Sequence, residues 1–103
     1  MIKVSVFYPW SAGAEFDMKY YVSTHMPLVE ARLGAACKGT QVDQGVAGGA
    51  PGAPPSYVAI GHVLAESPED FQAAFAPHMK EIMGDIPNFT KIQPTIQISE
   101  IKK

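Results

Sequence analysis

Ile2, Val4 and Val6 alternate with Lys3, Ser5 and Phe7, and a period of two predicts a strand that Pro9 ends. From Ala14 the period changes. Phe16 and Tyr20 stand four apart, as do Met18 and Val22, which is the spacing of helix faces. Pro27 lacks an amide N–H and disfavours helix at Met26, so this helix is expected to end or kink near His25. Leu28 to Leu33 resumes it, and Gly34 caps it. Thr40, Val42 and Val46 give Lys38 to Val46 a strand phase. Residues 48–55 hold three Gly and three Pro and read as a loop without a ladder. Tyr57 to Leu64 reads as the next strand. Ser67, Pro68, Glu69 and Asp70 start a second helix: a side-chain cap, a proline suited to the first turn, and two acids at the positive end. Phe71, Ala74, Phe75, His78, Met79, Ile82 and Met83 recur at helical spacing, with a kink expected at Pro77 and a stop at Gly84. Asp85 to Asn88 reads as a turn. A last strand is expected over Ile92 to Ile101, its first part at an edge or bulge because of Pro94.

The order β-α-β-β-α-β predicts an α+β, ferredoxin-like fold: a four-stranded antiparallel sheet with both helices on one face. Residues 1–103 are expected to form one such domain. The strand phases place Ile2, Val4, Val6, Val58, Ile60, Ile96 and Ile98 under the helices. Ser5, Phe7, Tyr57, Ala59, Gly61, Val63, Thr95 and Gln97 then fall on the opposite, uncovered face. That set is too apolar to sit comfortably in water, so a two-fold homodimer stacked sheet on sheet is expected.

Composition supports this expectation. Only 17% of residues are charged, against about 25% in an ordinary domain, so the surface is short of charge. The net charge of −2 argues against a nucleic-acid partner, which would need a basic patch. Lone Cys37 can make no internal disulfide and fits a reducing, cytoplasmic setting. No apolar run approaches a membrane span, and Met1 to Trp10 lacks the pattern of a secretion signal.

The chemistry rests on three histidines, His25, His62 and His78, since imidazole is the usual base near neutral pH. Tyr21 and His25 are four apart, on one helix face, and together could move a proton on an enolic or phenolic substrate. The plain alternative is a hydrogen bond at a frayed helix end. His62, on a strand among Val and Leu, needs a polar partner, which is protein or ligand. His78 lies in an aromatic stripe of the kind that faces a core. Asp85 reads as a turn cap. Spacing argues against a zinc site from the three histidines. No phosphate-binding, dinucleotide-binding or serine-hydrolase motif is present. Trp10, Phe16 and Phe89 are among the aromatics able to line an apolar pocket.

Phe7-Tyr8-Pro9, Phe16-Asp17-Met18-Lys19-Tyr20-Tyr21 and His25-Met26-Pro27-Leu28-Val29 resemble the first half of EthD-family proteins. Phe71 to Phe75, Pro77-His78, Glu81 to Thr90, Gln93-Pro94 and Gln97 to Glu100 resemble the second half. The resemblance implies a dimeric α+β barrel with a site between sheet and helices. It also implies binding, and transformation, of a small apolar or aromatic oxygenated metabolite by acid/base or oxidative chemistry without a cofactor. Architectural relatives include monooxygenases, isomerases, decarboxylases and heme-dependent enzymes. His25 and Tyr21 are the expected catalytic pair, and Trp10, His62 and Phe89 the expected substrate-binding residues. Two alternatives accompany this reading: a non-catalytic module that holds a hydrophobic ligand for a degradation pathway, and a heme-binding barrel.

Overall fold

The computed structural model describes residues 1–103. Its strands are β1 (Ile2–Pro9), β2 (Gly39–Gln44), β3 (Tyr57–Ala65) and β4 (Thr95–Glu100). They form one sheet in the order β2-β3-β1-β4, every neighbour antiparallel. The helical segments follow β1 and β3, so the predicted ferredoxin-like order is the observed one. No helix is long and apolar enough to cross a membrane.

The first helical segment is continuous across Pro27. It comprises α1 (Met18–Tyr20), a π turn (Tyr21–His25), α2 (Met26–Leu33) and a closing 3₁₀ turn. The expected break is thus a widening. Pro27 stands in the first turn of α2 and needs no helical donor there, while the Met26 N–H reaches back five residues to the Tyr21 carbonyl. The extra residue lets Tyr21 and His25 face the sheet together with Met26, Val29 and Leu33, all buried. Asp17 caps the start by accepting from the Tyr20 N–H at 3.0 Å, so the helix begins at Met18 and not at Ala14. Gly34 ends α2 with a positive φ of 57°.

The second segment comprises α3 (Pro68–Phe75), a 3₁₀ turn holding Pro77 (Ala76–His78), and α4 (Met79–Gly84). Ser67 caps it as expected, accepting from the Asp70 N–H at 3.1 Å. A further 3₁₀ turn, Ile86–Asn88, leads out. Strand β4 starts at Thr95, past Pro94, and so is shorter than the expected span.

Register corrects the reading of β3. Val63 lies opposite Val4, Gly61 opposite Val6, and Ala65 opposite Ile2. Paired residues share a face, so Ala59, Gly61, Val63 and Ala65 lie under the helices and Ile60 lies on the open face, while Val58, unpaired at a register shift, packs against the core as expected. Both phases of this strand are apolar, so alternation alone could not choose. Size chooses: small residues are needed where Tyr8 and Tyr21, the two largest fully buried side chains, fill the space above them. The open face therefore carries Ser5, Phe7, His62 and Leu64 beside Ile60, with Thr95 and Gln97 from β4. A register shift after Tyr8 brings Tyr57 onto Phe7, with ring centroids 5.0 Å apart. Ile96 and Ile98 lie on the helix side as expected, but at the sheet edge, where Ile96 is 52% exposed.

Candidate functional site

The π turn and the end of α4 meet above the sheet. His25 Nδ1 stands 2.9 Å from Asp85 Oδ2. A carboxylate only accepts, so Nδ1 carries the proton and the Nε2 lone pair is left free. No other hydrogen bond is made by this ring. Asp85 Oδ1 accepts from the Tyr20 hydroxyl at 2.7 Å and from the Asn88 amide at 2.8 Å. Burial pushes the Asp85 carboxyl upward, but hydrogen bonds from Asn88, Tyr20 and His25 outweigh it and hold the group below its ordinary value. Asp85 is thus an anion whose oxygens are all engaged, able to fix an imidazole and to stabilise it when protonated. By sequence alone Asp85 reads as a turn cap; nothing local links it to a histidine 60 residues away.

Tyr21 and His25, predicted as a pair, are brought together. Their rings stack at 5.4 Å and 14°. Tyr21 is 1% and His25 4% exposed. Burial raises the Tyr21 phenol to about 12, and burial with the neighbouring Tyr21 raises Tyr8 further. Both stay protonated at neutral pH, so Tyr21 is a hydrogen-bonding partner, and the base in this cluster is His25. Phe89 completes the box, 4.8 Å from His25, 5.0 Å from Tyr21 and 5.3 Å from Phe16 by ring centroid. The close approach continues to the sheet: the Tyr21 hydroxyl occupies the space a Cβ on Gly61 would need.

Trp10 and Phe89 share an open groove of about 990 Å³, also lined by Phe16, Asn88, Lys91 and Ile92. Its walls are pinned by backbone pairing: the Asp17 N–H donates to the Phe89 carbonyl at 2.8 Å, and Phe16 bridges Thr90. Phe89 is the partition, with the groove on one side and His25 on the other. His25 and Tyr21 do not line the groove. His62 lies elsewhere, on the open sheet face, where its Nδ1 is 2.8 Å from Ser5 Oγ and its Nε2 2.9 Å from Asp43 Oδ2. The partner that His62, half-buried on this face, required is therefore protein. Strand alternation could have placed Ser5, His62 and Asp43 on one face only if the register had been known.

Heme does not fit the groove, because none of the three histidines lines it. No group of three or more His, Cys, Asp or Glu is placed to hold a metal ion.

Comparison with known proteins gives consistent results. An EthD-like protein of Ralstonia eutropha JMP134 is 50% identical and superposes with a TM-score of 0.94, over 99% of this chain and 94% of that one. An ethyl tert-butyl ether D (EthD) family protein of Bacillus halodurans C-125 is 18% identical, with a TM-score of 0.67 over 99% of both chains. A dimeric ferredoxin-like protein of unknown function from Thermobifida fusca YX is 15% identical, with a TM-score of 0.63 over 97% of this chain and 90% of that one; at such identity the likeness is one of fold. A search of curated proteins finds no match. The EthD domain pattern matches residues 12–93, and the chain belongs to the EthD family.

Proposed function

We propose that the chain binds a small apolar or aromatic oxygenated molecule in the groove beside Trp10 and Phe89, and that His25 moves a proton on it. The observation that carries this reading is the 2.9 Å bond between His25 Nδ1 and Asp85, which leaves Nε2 as a free base in an aromatic box. In such surroundings an imidazole oriented by a carboxylate can take a proton from a substrate O–H or an activated C–H. Asp85 stabilises the imidazolium that results, and the proton returns at another atom. The Tyr21 hydroxyl points at Gly61 on the sheet, so the part of Tyr21 is to hold the His25 ring by stacking on it. A ligand in the groove reaches Nε2 only if the Phe89 ring turns aside.

Native mass spectrometry with a panel of enolisable aromatic ketones and phenols would find a ligand. With a bound panel member as substrate, His25→Ala should lower turnover about 10²-fold or more, with groove binding retained. Unchanged turnover in a folded variant overturns the assignment. One observation favours a second reading, a module that holds the ligand without transforming it: His25 lies behind Phe89 and is 4% exposed. Release of every bound panel member unaltered supports that reading.

The assembly proposed is a homodimer joined through the open sheet faces, where Phe7, Ile60 and Leu64 stand together without a cover. The Thermobifida fusca relative, described as dimeric, supports it. A monodisperse monomer at micromolar concentration in sedimentation contradicts it.

A further inference from the structure

Asn88 joins the groove to the His25–Asp85 pair, and the proposed proton transfer gives it no task. It follows Asp85 by three residues across the 3₁₀ turn Ile86–Asn88. The turn holds it twice: its backbone N–H donates to the Asp85 carbonyl at 3.0 Å, and its side-chain amide donates to Asp85 Oδ1 at 2.8 Å. An ionised carboxylate only accepts, so the NH₂ edge of the amide must face Asp85. The same nitrogen also bears on the Tyr20 oxygen as a donor. The amide oxygen, Asn88 Oδ1, takes no donor from the chain. Asn88 is exposed and lines the groove, so Oδ1 is the atom left for a ligand there.

We propose that Asn88 is a ligand-binding residue of the groove, and that its fixed Oδ1 selects molecules whose oxygen carries a hydrogen, phenols and enols, over ethers and ketones of similar shape. The inference rests on the groove as the binding site and adds to it the direction of one hydrogen bond. A phenol or enol O–H donates to Oδ1. An ether or ketone oxygen only accepts, so at Oδ1 two acceptors would face each other, both stripped of water. Because Asp85 orients the amide, the carboxylate that fixes the His25 tautomer also sets which ligands the groove takes.

The other polar side chains along the groove do not offer the same contact. Thr90 spends its hydroxyl, donating to the Glu15 carbonyl at 2.7 Å and accepting from the Ile92 N–H at 3.1 Å. Asp17 has Oδ1 taken up as the cap of α1. Lys91 and Gln93 line the groove without a side-chain bond to hold them. Asn88 alone is both fixed and open. It also precedes Phe89, the partition before His25, so an oxygen bound at Oδ1 sits at the His25 end of the groove. Asn88 stands on the helix side of the sheet, clear of the open face, so pairing of two copies through that face leaves it accessible.

The test is titration of the full chain with p-ethylphenol, its methyl ether p-ethylanisole, and p-ethylacetophenone. Binding is followed by NMR at the indole N–H of Trp10, the one tryptophan, which lines the groove. The phenol should bind about 3- to 10-fold tighter than the ether, the worth of one neutral hydrogen bond. Asn88→Ala should bring that ratio to about 1, a comparison in which the size of the added methyl cancels. Asp85→Asn should also lower it and raise the relative affinity of the ketone, because a neutral partner lets the Asn88 amide turn its NH₂ to the groove. That variant leaves Asn88 in place, so it decides the matter if Asn88→Ala fails to fold. Equal binding of phenol and ether to the wild type, or a preference unchanged in either variant, overturns the proposal while the groove stands. No shift at Trp10 with any of the three compounds overturns the groove as the binding site, and the proposal with it.

Discussion

Two histidine–aspartate pairs occupy the two sides of one sheet. Their bond lengths are the same, 2.9 Å, and in each the carboxylate dictates which ring nitrogen carries the proton. What differs is the other nitrogen. In His25 the free lone pair is Nε2, unused within the chain and set in an aromatic box. In His62 it is Nδ1, already occupied by Ser5. The carboxylates differ as well. The Asp85 side chain is 13% exposed and gathers three donors; that of Asp43 is 44% exposed and gathers two. Equal geometry therefore does not imply equal consequence. Burial decides how much stability each pair controls, and the spare lone pair decides what chemistry each could perform.

The hardest test of the helix side is a substitution on β3, next to His62 in sequence. A Cβ at Gly61 would fall on the Tyr21 hydroxyl, and Tyr21 is locked among Tyr8, Phe16, His25 and Phe89. Overpacking of this kind costs about 1–3 kcal/mol or more. Gly61→Ala is expected at the upper end, lowering Tm by about 10 °C or more, measured by calorimetry. A Tm within about 2 °C of wild type would show that the box is loose, and the contrast with the open face would lose its basis.

Removing one histidine from each side comes next. His25→Ala leaves a mostly buried anion without one of its donors and opens a hole beside Phe89; a loss of about 3 kcal/mol is expected. His62→Ala leaves Asp43 able to turn to water, and about 1 kcal/mol is expected. Urea unfolding measures both. Equal losses would mean that the open face is sealed more tightly than its exposure implies, as a tight dimer would make it.

Much of this was legible before any coordinates. Alternation in β1, the Ser67-Pro68 start of the second helix, and the Tyr21–His25 spacing all translated directly into structure. The failures share a cause: they depended on partners distant in sequence. Strand β3 is apolar in both phases, and only its pairing with Val4 and Val6 selects Ala59, Gly61 and Val63 for the helix side. Asp85 is adjacent to nothing titratable in the chain, yet closes on His25. Ser5 and Asp43 were ordinary strand residues until register placed them against His62. The Pro27 signal was correct in position and incomplete in form, because the packing of Tyr21 and His25 converts a break into a π turn.

The pH dependence separates the two sides at its alkaline end. Tyr8 and Tyr21 are both raised above the ordinary phenol value of 10.0, while the open face holds no buried phenol. A group whose folded value is raised stabilises the fold fully below its unfolded value. That stabilisation is lost as pH climbs from about 10 towards the folded value, because the unfolded chain ionises first. Stability should therefore fall between pH 10 and about 12. Tyr21→Phe should flatten that limb by about 1–2 kcal/mol across the range, read by urea unfolding at stepped pH. An unchanged slope would place the Tyr21 phenol in water and empty the box of its distinguishing property.

The smallest effect belongs to the acid end of the open face, where Asp43 is held low by hydrogen bonds from Gln41 and His62. A lowered carboxylate stabilises the fold above its unfolded value of 3.8, and that contribution is lost as pH falls through the folded value. Asp85 obeys the same sign, so wild-type stability should decline below about pH 4 through both residues. Exposure weights them differently. Water and salt screen Asp43, so Asp43→Asn should change stability at pH 7 by less than about 1 kcal/mol and should barely alter the acid limb. Asp85→Asn should remove most of that limb, because no carboxylate is then left at this buried position to take up a proton. Measured together, the two variants assign the acid sensitivity to one side of the sheet. If Asp43→Asn flattened the limb as much as Asp85→Asn, the Asp43 carboxylate would have to be desolvated in solution, and an isolated chain with that side chain 44% exposed would not be the species under study; a second copy would have to cover it.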